Sequence, residues 1–309
     1  MDFSKIPVLV LFIISLVCAI ANSNYRAYYI KNTMVRESEK YSLNAGLSFV
    51  CAISLVVLSG FSITASWYSV LLGLLFGAVG MFNATVVVQA IKAGPFGYTM
   101  VIVNLSTALT ALSGAMFWGE SLGAFKIVGI VLMLISFFFA IDTENDGGKK
   151  ANKTWFLLCV LGLLSCALVG IMQKVHQTSA HKNELTAFLL VSFLTSASLS
   201  MIWYFLQRKK ENATQAQEES ATQEACKKAK SAWPFVIALL ICGIGGAGNN
   251  ILNLYLSGVT DAAIFFPLVN GVPLLANLLV AFLLFKEKLK RKQMLGFVMG
   301  IVAIACLFI

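Results

Sequence analysis

Fifty-one consecutive residues, Tyr41–Ile91, carry no Lys, Arg, Asp or Glu. That run is too apolar for the surface of a soluble domain. It is also too long for one bilayer crossing, which takes about 20 residues. Gly60 and the polar stretch Ser62–Ser66 mark a turn inside it, so it reads as two membrane helices.

The same reading along the chain gives ten spans, at roughly 6–25, 42–60, 67–91, 96–117, 122–141, 154–173, 185–206, 233–257, 262–285 and 293–309. Lys92-Ala93-Gly94-Pro95 ends the third, because proline disfavours helix in the residue before it. Gly119-Glu120 separates the fourth from the fifth. The first run has one lysine ahead of it and no convincing cleavage site, so it reads as a retained helix. Residues 207–231 are rich in Lys, Glu, Gln, Ala and Thr and read as a polar loop or a frayed helix.

The net charge is +9, but the basic residues sit in short loops between apolar runs, the pattern of a membrane protein with no nucleic-acid partner. Loops after spans one, three, five, seven and nine hold 19 of the 23 Lys and Arg. The charge rule therefore places the odd loops in the cytoplasm and both termini outside a plasma or inner membrane. The seven cysteines show no CxxC or Cys/His spacing, which favours neither a metal site nor a disulfide framework. No cofactor is implied. There is no HExxH, GxSxG or P-loop, so neither a membrane enzyme nor direct ATP drive is favoured.

A weak internal repeat organises the spans. Met81–Ile141 moved forward by 167 positions lies on Gly248–Phe308 without a gap. Asn83 then falls on Asn250, Glu120 on Glu287, Leu122 on Leu289 and Gly129 on Gly296. With five helices per half, the second half is inverted relative to the first. The chain divides into residues 1–150 and 151–309. The fold class is an all-α membrane protein, ten transmembrane helices in two inverted five-helix repeats. Such a repeat marks a transporter with its substrate site between the halves.

Ala93-Gly94-Pro95, a long apolar helix, Gly119-Glu120-Ser121-Leu122, Lys126 and Gly129 resemble the EamA-type domain of the drug/metabolite transporter superfamily. Lys286-Glu287-Lys288-Leu289, Gln293 and Gly296 repeat the pattern. The resemblance implies a 5+5 bundle that moves small metabolites by alternating access. It also implies a central cavity lined mainly by the first, third and fourth helices of each half. Members are often described with cytoplasmic termini and a basic loop after span two. Here Phe61–Ser66 has no charge and the loop after span one is basic instead.

Polar groups at membrane depth are costly unless they face a cavity or pair with each other, which makes them candidates. Asn249, Asn250 and Asn253 follow the glycines of Gly243–Gly248 on span eight, where they either contact solute or hold the helix in place. Asn83, Gln89 and Lys92 stand on span three, Lys92 either facing inward or snorkelling to the headgroups. Asn104 with Thr107 and Thr110 stands on span four, and Asn270 on span nine between Pro267 and Pro273, a hinge or a static kink. Asn24, Tyr25 and Arg26 end span one. Gln173, Lys174 and His176 end span six. These six are candidates for the cavity mouths, with Arg26 and Lys174 attracting anions or anchoring to the interface. His176 at a helix end reads as solvated. Glu120 and Glu287 read as structural groups near helix N-termini.

No Asp or Glu lies in the middle of a span, and Asp261 reads as facing water. The expected protein is a secondary transporter, an exporter, facilitator or exchanger of small neutral, zwitterionic or anionic solutes. The alternatives are a multidrug efflux transporter or a non-transport receptor or scaffold. The partners are a small-molecule solute and the lipid bilayer, with a monomeric or homodimeric assembly.

Overall fold

The computed structural model describes residues 3, 5–33, 37–61, 63–140, 152–218, 233–283 and 291–308. They form the helices α1 (Val8–Thr33), α2 (Glu37–Leu58), α3 (Trp67–Ala93), α4 (Phe96–Asn104), α5 (Ser106–Trp118), α6 (Ala124–Ala140), α7 (Lys153–Thr178), α8 (Leu185–Glu218), α9 (Trp233–Val259), α10 (Ala262–Leu283) and α11 (Arg291–Leu307). Among the described residues, seven helical stretches are long and apolar enough to cross a membrane. One of these, Tyr98–Trp118, joins α4 to α5. The ends of α6 and α11 border residues outside the described set, and each has 17 described residues. Cys226, Glu287 and the basic loop after α10 lie outside the described residues.

Helix ends follow local chemistry. Ser66 Oγ accepts from Ser69 N to start α3, and Asn152 Oδ1 accepts from Trp155 N at 2.7 Å to start α7. Gly119, with φ 63°, ends α5 in the left-handed region that glycine adopts without strain. Residues 207–218, expected as a polar loop or a frayed helix, continue α8 to Glu218. Their Glu, Lys, Gln and Ala content is helix-favouring once a membrane span feeds into it. Residues 219–231 lie outside the described set.

The outside of the bundle is apolar. Leu9, Val57, Leu75, Phe117, Phe156 and Phe205 are all exposed. In water such a surface would associate; against acyl chains it is the solvated face. Inside, small residues let helices approach. A Cβ on Gly73 would stand 2.8 Å from Phe188 O and 3.1 Å from Val191 Cβ on α8. One on Gly296 would stand 2.7 Å from Ala140 N on α6, where Ser136 Oγ also donates to Gly296 O at 2.7 Å. The glycine pairs Gly73/Gly77 and Gly296/Gly300, each four residues apart, are thus internal helix contacts. Around Gly119 and Gly123 an added Cβ would meet nothing within 4 Å.

α1 packs on α9, and α3 on α7 and α8. α2 lies against α8 and α9, α5 against α10, and α6 against α11. The Gly243–Gly248 cluster does not break α9. It lets α2 close in, since a Cβ on Gly243 would stand 2.5 Å from Val50 Cγ1. α10 runs continuously through Pro267 and Pro273. The interruption falls instead between α4 and α5, at Leu105, whose N–H reaches both Val101 O and Ile102 O. Thr110 Oγ1 and Ser113 Oγ return to carbonyls of the turn before them, which loosens the following segment.

Candidate functional site

A cavity of about 260 Å³ lies between α5, α7, α9 and α10. α7 contributes Cys166, Val169, Gly170 and Gln173, a stripe at helical spacing. Asn249 and Asn253 come from α9, one turn apart, and Ser106 and Thr110 come from α5. α10 adds Phe265, Phe266, Val269 and Asn270. Ten of these twelve residues follow position 151, and none is charged. The space exists because residue 170 is glycine: a Cβ there would stand 2.7 Å from Thr110 Cγ2 and 2.9 Å from the Phe266 ring. Ligand pockets commonly run from about 300 Å³ upward, so this one suits a small metabolite.

The amides are held in place. Buried Ser15 of α1 has its Oγ 2.6 Å from Asn253 Oδ1 and 3.0 Å from Asn249 Oδ1, donating to the pair. Asn253 Nδ2 donates to Asn249 Oδ1 at 3.3 Å. Asn270 Nδ2 donates to Thr107 Oγ1 at 3.0 Å, joining α10 to α5. The cavity thus presents amide groups already oriented by neighbours, beside two aromatic rings.

One end of the bundle is closed by charge. There α5, α7 and α9 finish and α6, α8 and α10 begin. The turn at Gly119 brings Glu120 back over Gly114, where a side chain would strike Oε2. Glu120 Oε1 lies 2.6 Å from Lys174 Nζ, with side-chain exposures of 12% and 4%. Glu120 Oε2 accepts from Ala262 N at 2.6 Å, and Lys174 Nζ donates to Thr260 O at 2.7 Å. The carboxylate therefore caps the first turn of α10 and pairs with α7 at once. Beside it, Lys126 Nζ and Asp261 Oδ2 pair at 2.6 Å, and Trp118 Nε1 donates to Thr178 Oγ1 at 2.9 Å. Lys174 stands one turn beyond Gly170 on α7, and Gly114, beneath Glu120, one turn beyond Thr110 on α5, so the ion pair sits toward this end of two helices that line the cavity.

The model of the EamA-like transporter family matches residues 153–309, half of the chain. The chain belongs to that family. It is a multi-pass membrane protein of the drug/metabolite transporter superfamily. An uncharacterized protein of Haemophilus influenzae (strain ATCC 51907 / DSM 11121 / KW20 / Rd) is 23% identical over 239 residues, 76% of this chain and 75% of that one. A solved crystal structure superposes with a TM-score of 0.71 at 13% identity, over 97% of this chain and 95% of that one. That likeness concerns the fold alone.

In this EamA-like protein, Thr110, Gln173, Asn249, Asn253 and Asn270 come together at the cavity, and the other candidates are not among its lining. Asn83 Nδ2 donates to Gly162 O and Ser165 Oγ, both at 2.9 Å, clamping α3 to α7. Its repeat mate Asn250 donates to Gly246 O of its own helix at 2.8 Å. Gln89 and Lys92 are exposed on α3, and Asn104 is half-buried above the α4–α5 interruption. Asn24 Nδ2 returns to Ile20 O, and Tyr25 packs with Tyr29 and Leu43. The fourth helix of the first half reaches the cavity as α5, but α1 and α3 are not among its lining.

Two of the expected mouth residues need correcting. Lys174 does not present its charge to a mouth, because Glu120 neutralises it inside the bundle. His176 is not solvated; it is fully buried and stacked on Phe188, ring centroids 4.4 Å apart. Gln177 Nε2 donates to its Nδ1 at 2.9 Å and also to Lys182 O, which leaves Nε2–H facing Ser69 Oγ at 3.2 Å. Asp261 is half exposed and also ion-paired. Cys166, Gly170, Phe265 and Phe266 were not candidates, although the spacing of 166, 169, 170 and 173 puts a small-residue stripe on the face that carries Gln173.

Glu184 fastens the starts of α3 and α8. Its Oε2 accepts from Ser66 N at 2.9 Å and Ser66 Oγ at 2.6 Å. Its Oε1 lies 3.4 Å from His181 Nδ1. Burial works against the charge, but hydrogen bonds from Ser66, Ser69 and His181 outweigh it and hold the carboxyl down at about 2. A depressed carboxyl stabilises the fold fully above its ordinary value near 4.5, and that contribution disappears as pH falls toward about 2. Thermal unfolding in detergent is expected to show a steeper loss between pH 5 and pH 3 for the wild type than for Glu184→Ala. Equal slopes would remove Glu184 from this role.

Proposed function

We propose that the protein is a secondary transporter that moves a small neutral or zwitterionic metabolite through the 260 Å³ cavity by alternating access. The observation that carries this is an uncharged, amide-rich cavity enclosed by helices from both halves of a transporter-family chain. Asn249, Asn253, Asn270 and Gln173 hydrogen-bond the solute, Ser106 and Thr110 add hydroxyls, and Phe265 and Phe266 cover its apolar part. Lys174 is committed to Glu120, so a fully anionic solute finds no counter-charge in this cavity.

The helix pairings support ten spans in two inverted halves, 1–150 and 151–309. Exchanging each span with the one five places on turns the α1–α9 contact into α7–α3, and α2–α9 into α8–α3. The α2–α8, α5–α10 and α6–α11 contacts map onto themselves. The ion pair at Glu120 then belongs to the state closed at that end. The basic loops favour a cytoplasmic position for the opposite end, in a plasma or inner membrane.

The test is flux of radiolabelled amino acids, nucleobases and sugars into proteoliposomes. At least one neutral or zwitterionic solute should be carried with no ATP. For it, Asn253→Ala and Asn270→Ala should each lower kcat/KM about tenfold, the loss of one solute hydrogen bond at a buried site. Flux that ignores both substitutions would place the solute elsewhere.

A further inference from the structure

A second cleft lies at the end of the bundle opposite Glu120. It is formed by α1, α2 and α3 and holds about 70 Å³. Arg26 comes from α1, Lys40, Tyr41 and Asn44 from α2, and Thr85 from α3. Two cations and three hydrogen-bonding side chains converge on it, and no carboxylate is among its lining residues. Glu39 precedes Lys40 in the chain but is not part of the cleft.

Arg26 is an exposed cation at the end of the apolar stretch Val8–Arg26. α1 continues seven residues beyond it to Thr33, about 10 Å of helix, so the guanidinium is set back from the helix end. Among the described residues its one hydrogen bond goes to Asn44 Oδ1, at 3.4 Å, although a guanidinium has five N–H donors. Asn44 itself is anchored, its Nδ2 donating to Ser200 Oγ at 2.7 Å. An exposed guanidinium at the edge of a span has donors to spare for water or for the oxygens of a headgroup. The cleft is small, about 70 Å³, which gives room for a compact oxyanion group.

The depth is marked independently. The Tyr41 ring, in the cleft wall, stacks on Trp203 with centroids 6.4 Å apart and planes at 21°, and Tyr204 follows. Tyr and Trp gather at the level of lipid headgroups. Basic pockets between helices at this level suit phosphate-bearing headgroups.

We propose that the Arg26–Lys40 cleft is a phosphate-binding site, separate from the central cavity, that holds the headgroup phosphate of an anionic phospholipid. Arg26 offers a two-pronged donor to two phosphate oxygens, Lys40 supplies a second charge, and Tyr41 and Thr85 complete the shell. A free phosphate group offers the same oxygens, so the experiment includes both sources.

The full-length protein in neutral detergent is followed by thermal unfolding, a readout that does not need transport. Dioleoylphosphatidylglycerol is added against dioleoylphosphatidylcholine, and inorganic phosphate against chloride at matched ionic strength. The glycerol lipid should raise the unfolding temperature and the choline lipid should not. The apparent affinity should fall about tenfold or more in Arg26→Gln and less in Arg26→Lys. Lys40→Gln should also weaken it, and it stands in if Arg26→Gln does not fold. Stabilisation by inorganic phosphate without the lipid effect would keep the site and assign it to a soluble ligand. If neither probe stabilises beyond its control, or the shift persists unchanged in both Gln variants, the proposal is overturned.

Discussion

Lys174→Met is expected to destabilise the protein by about 3–5 kcal/mol, because it strands a buried carboxylate. Glu120 is 12% exposed and would keep only the Ala262 N–H as a partner. Thr260 O would lose its donor as well, next to a Thr260 Oγ1 that is buried without a hydrogen-bond partner among the described residues. Removing both charges, with Glu120→Gln in the Lys174→Met background, should recover much of the loss. A buried pair contributes little net stability against uncharged replacements, whereas one unpaired member is costly. Unfolding in matched detergent for the wild type, the single variant and the double variant measures this. A single-variant loss below about 1 kcal/mol would mean that water reaches the pair, as at an exposed salt bridge.

Gly77→Val should be nearly as damaging, for a steric reason. A Cβ at residue 77 would strike the Ser192 carbonyl oxygen and come within 2.8 Å of Thr195 Cβ on α8. Backbone cannot rotate away as a side-chain tip can, so α3 and α8 must separate, at a cost of about 1–3 kcal/mol or more. Gly80→Val is the control. It carries the same change in helix propensity on the same helix, but an added Cβ there meets nothing within 4 Å. The folded yield of Gly77→Val should fall sharply while Gly80→Val stays near wild type. Equal behaviour would show that propensity, not contact, sets the effect.

Seven of the expected spans were legible because membranes impose length. The expected 67–91 and 233–257 appear as Trp67–Ala93 and Trp233–Val259, with ends set by Gly, Pro and charge. The α4–α5 interruption was not legible, since no proline marks it, while Pro267 and Pro273 lie in unbroken α10. Half of the site was hidden for a chemical reason. An asparagine at membrane depth serves equally well as a solute contact or a helix clamp. Asn253 and Asn83 therefore look alike in sequence and differ only in what stands opposite. Lys174 was hidden in another way: its partner Glu120 belongs to the other half of the chain, and no local pattern connects them. Gly170 and Cys166 carried no polar signal, yet an absent side chain is what makes room for a ligand.

The double duty of Glu120 has a consequence for motion. One carboxylate binds the end of α7 and the first turn of α10. In the proposed alternating-access cycle, drawing α7 away from α5 would break the ion pair and leave a charge that must find water, which would also weaken its hold on Ala262 N–H. The release of α7 and of α10 would then be coupled through one oxygen pair, so that the cost of hydrating a single carboxylate sets the barrier to opening at this end.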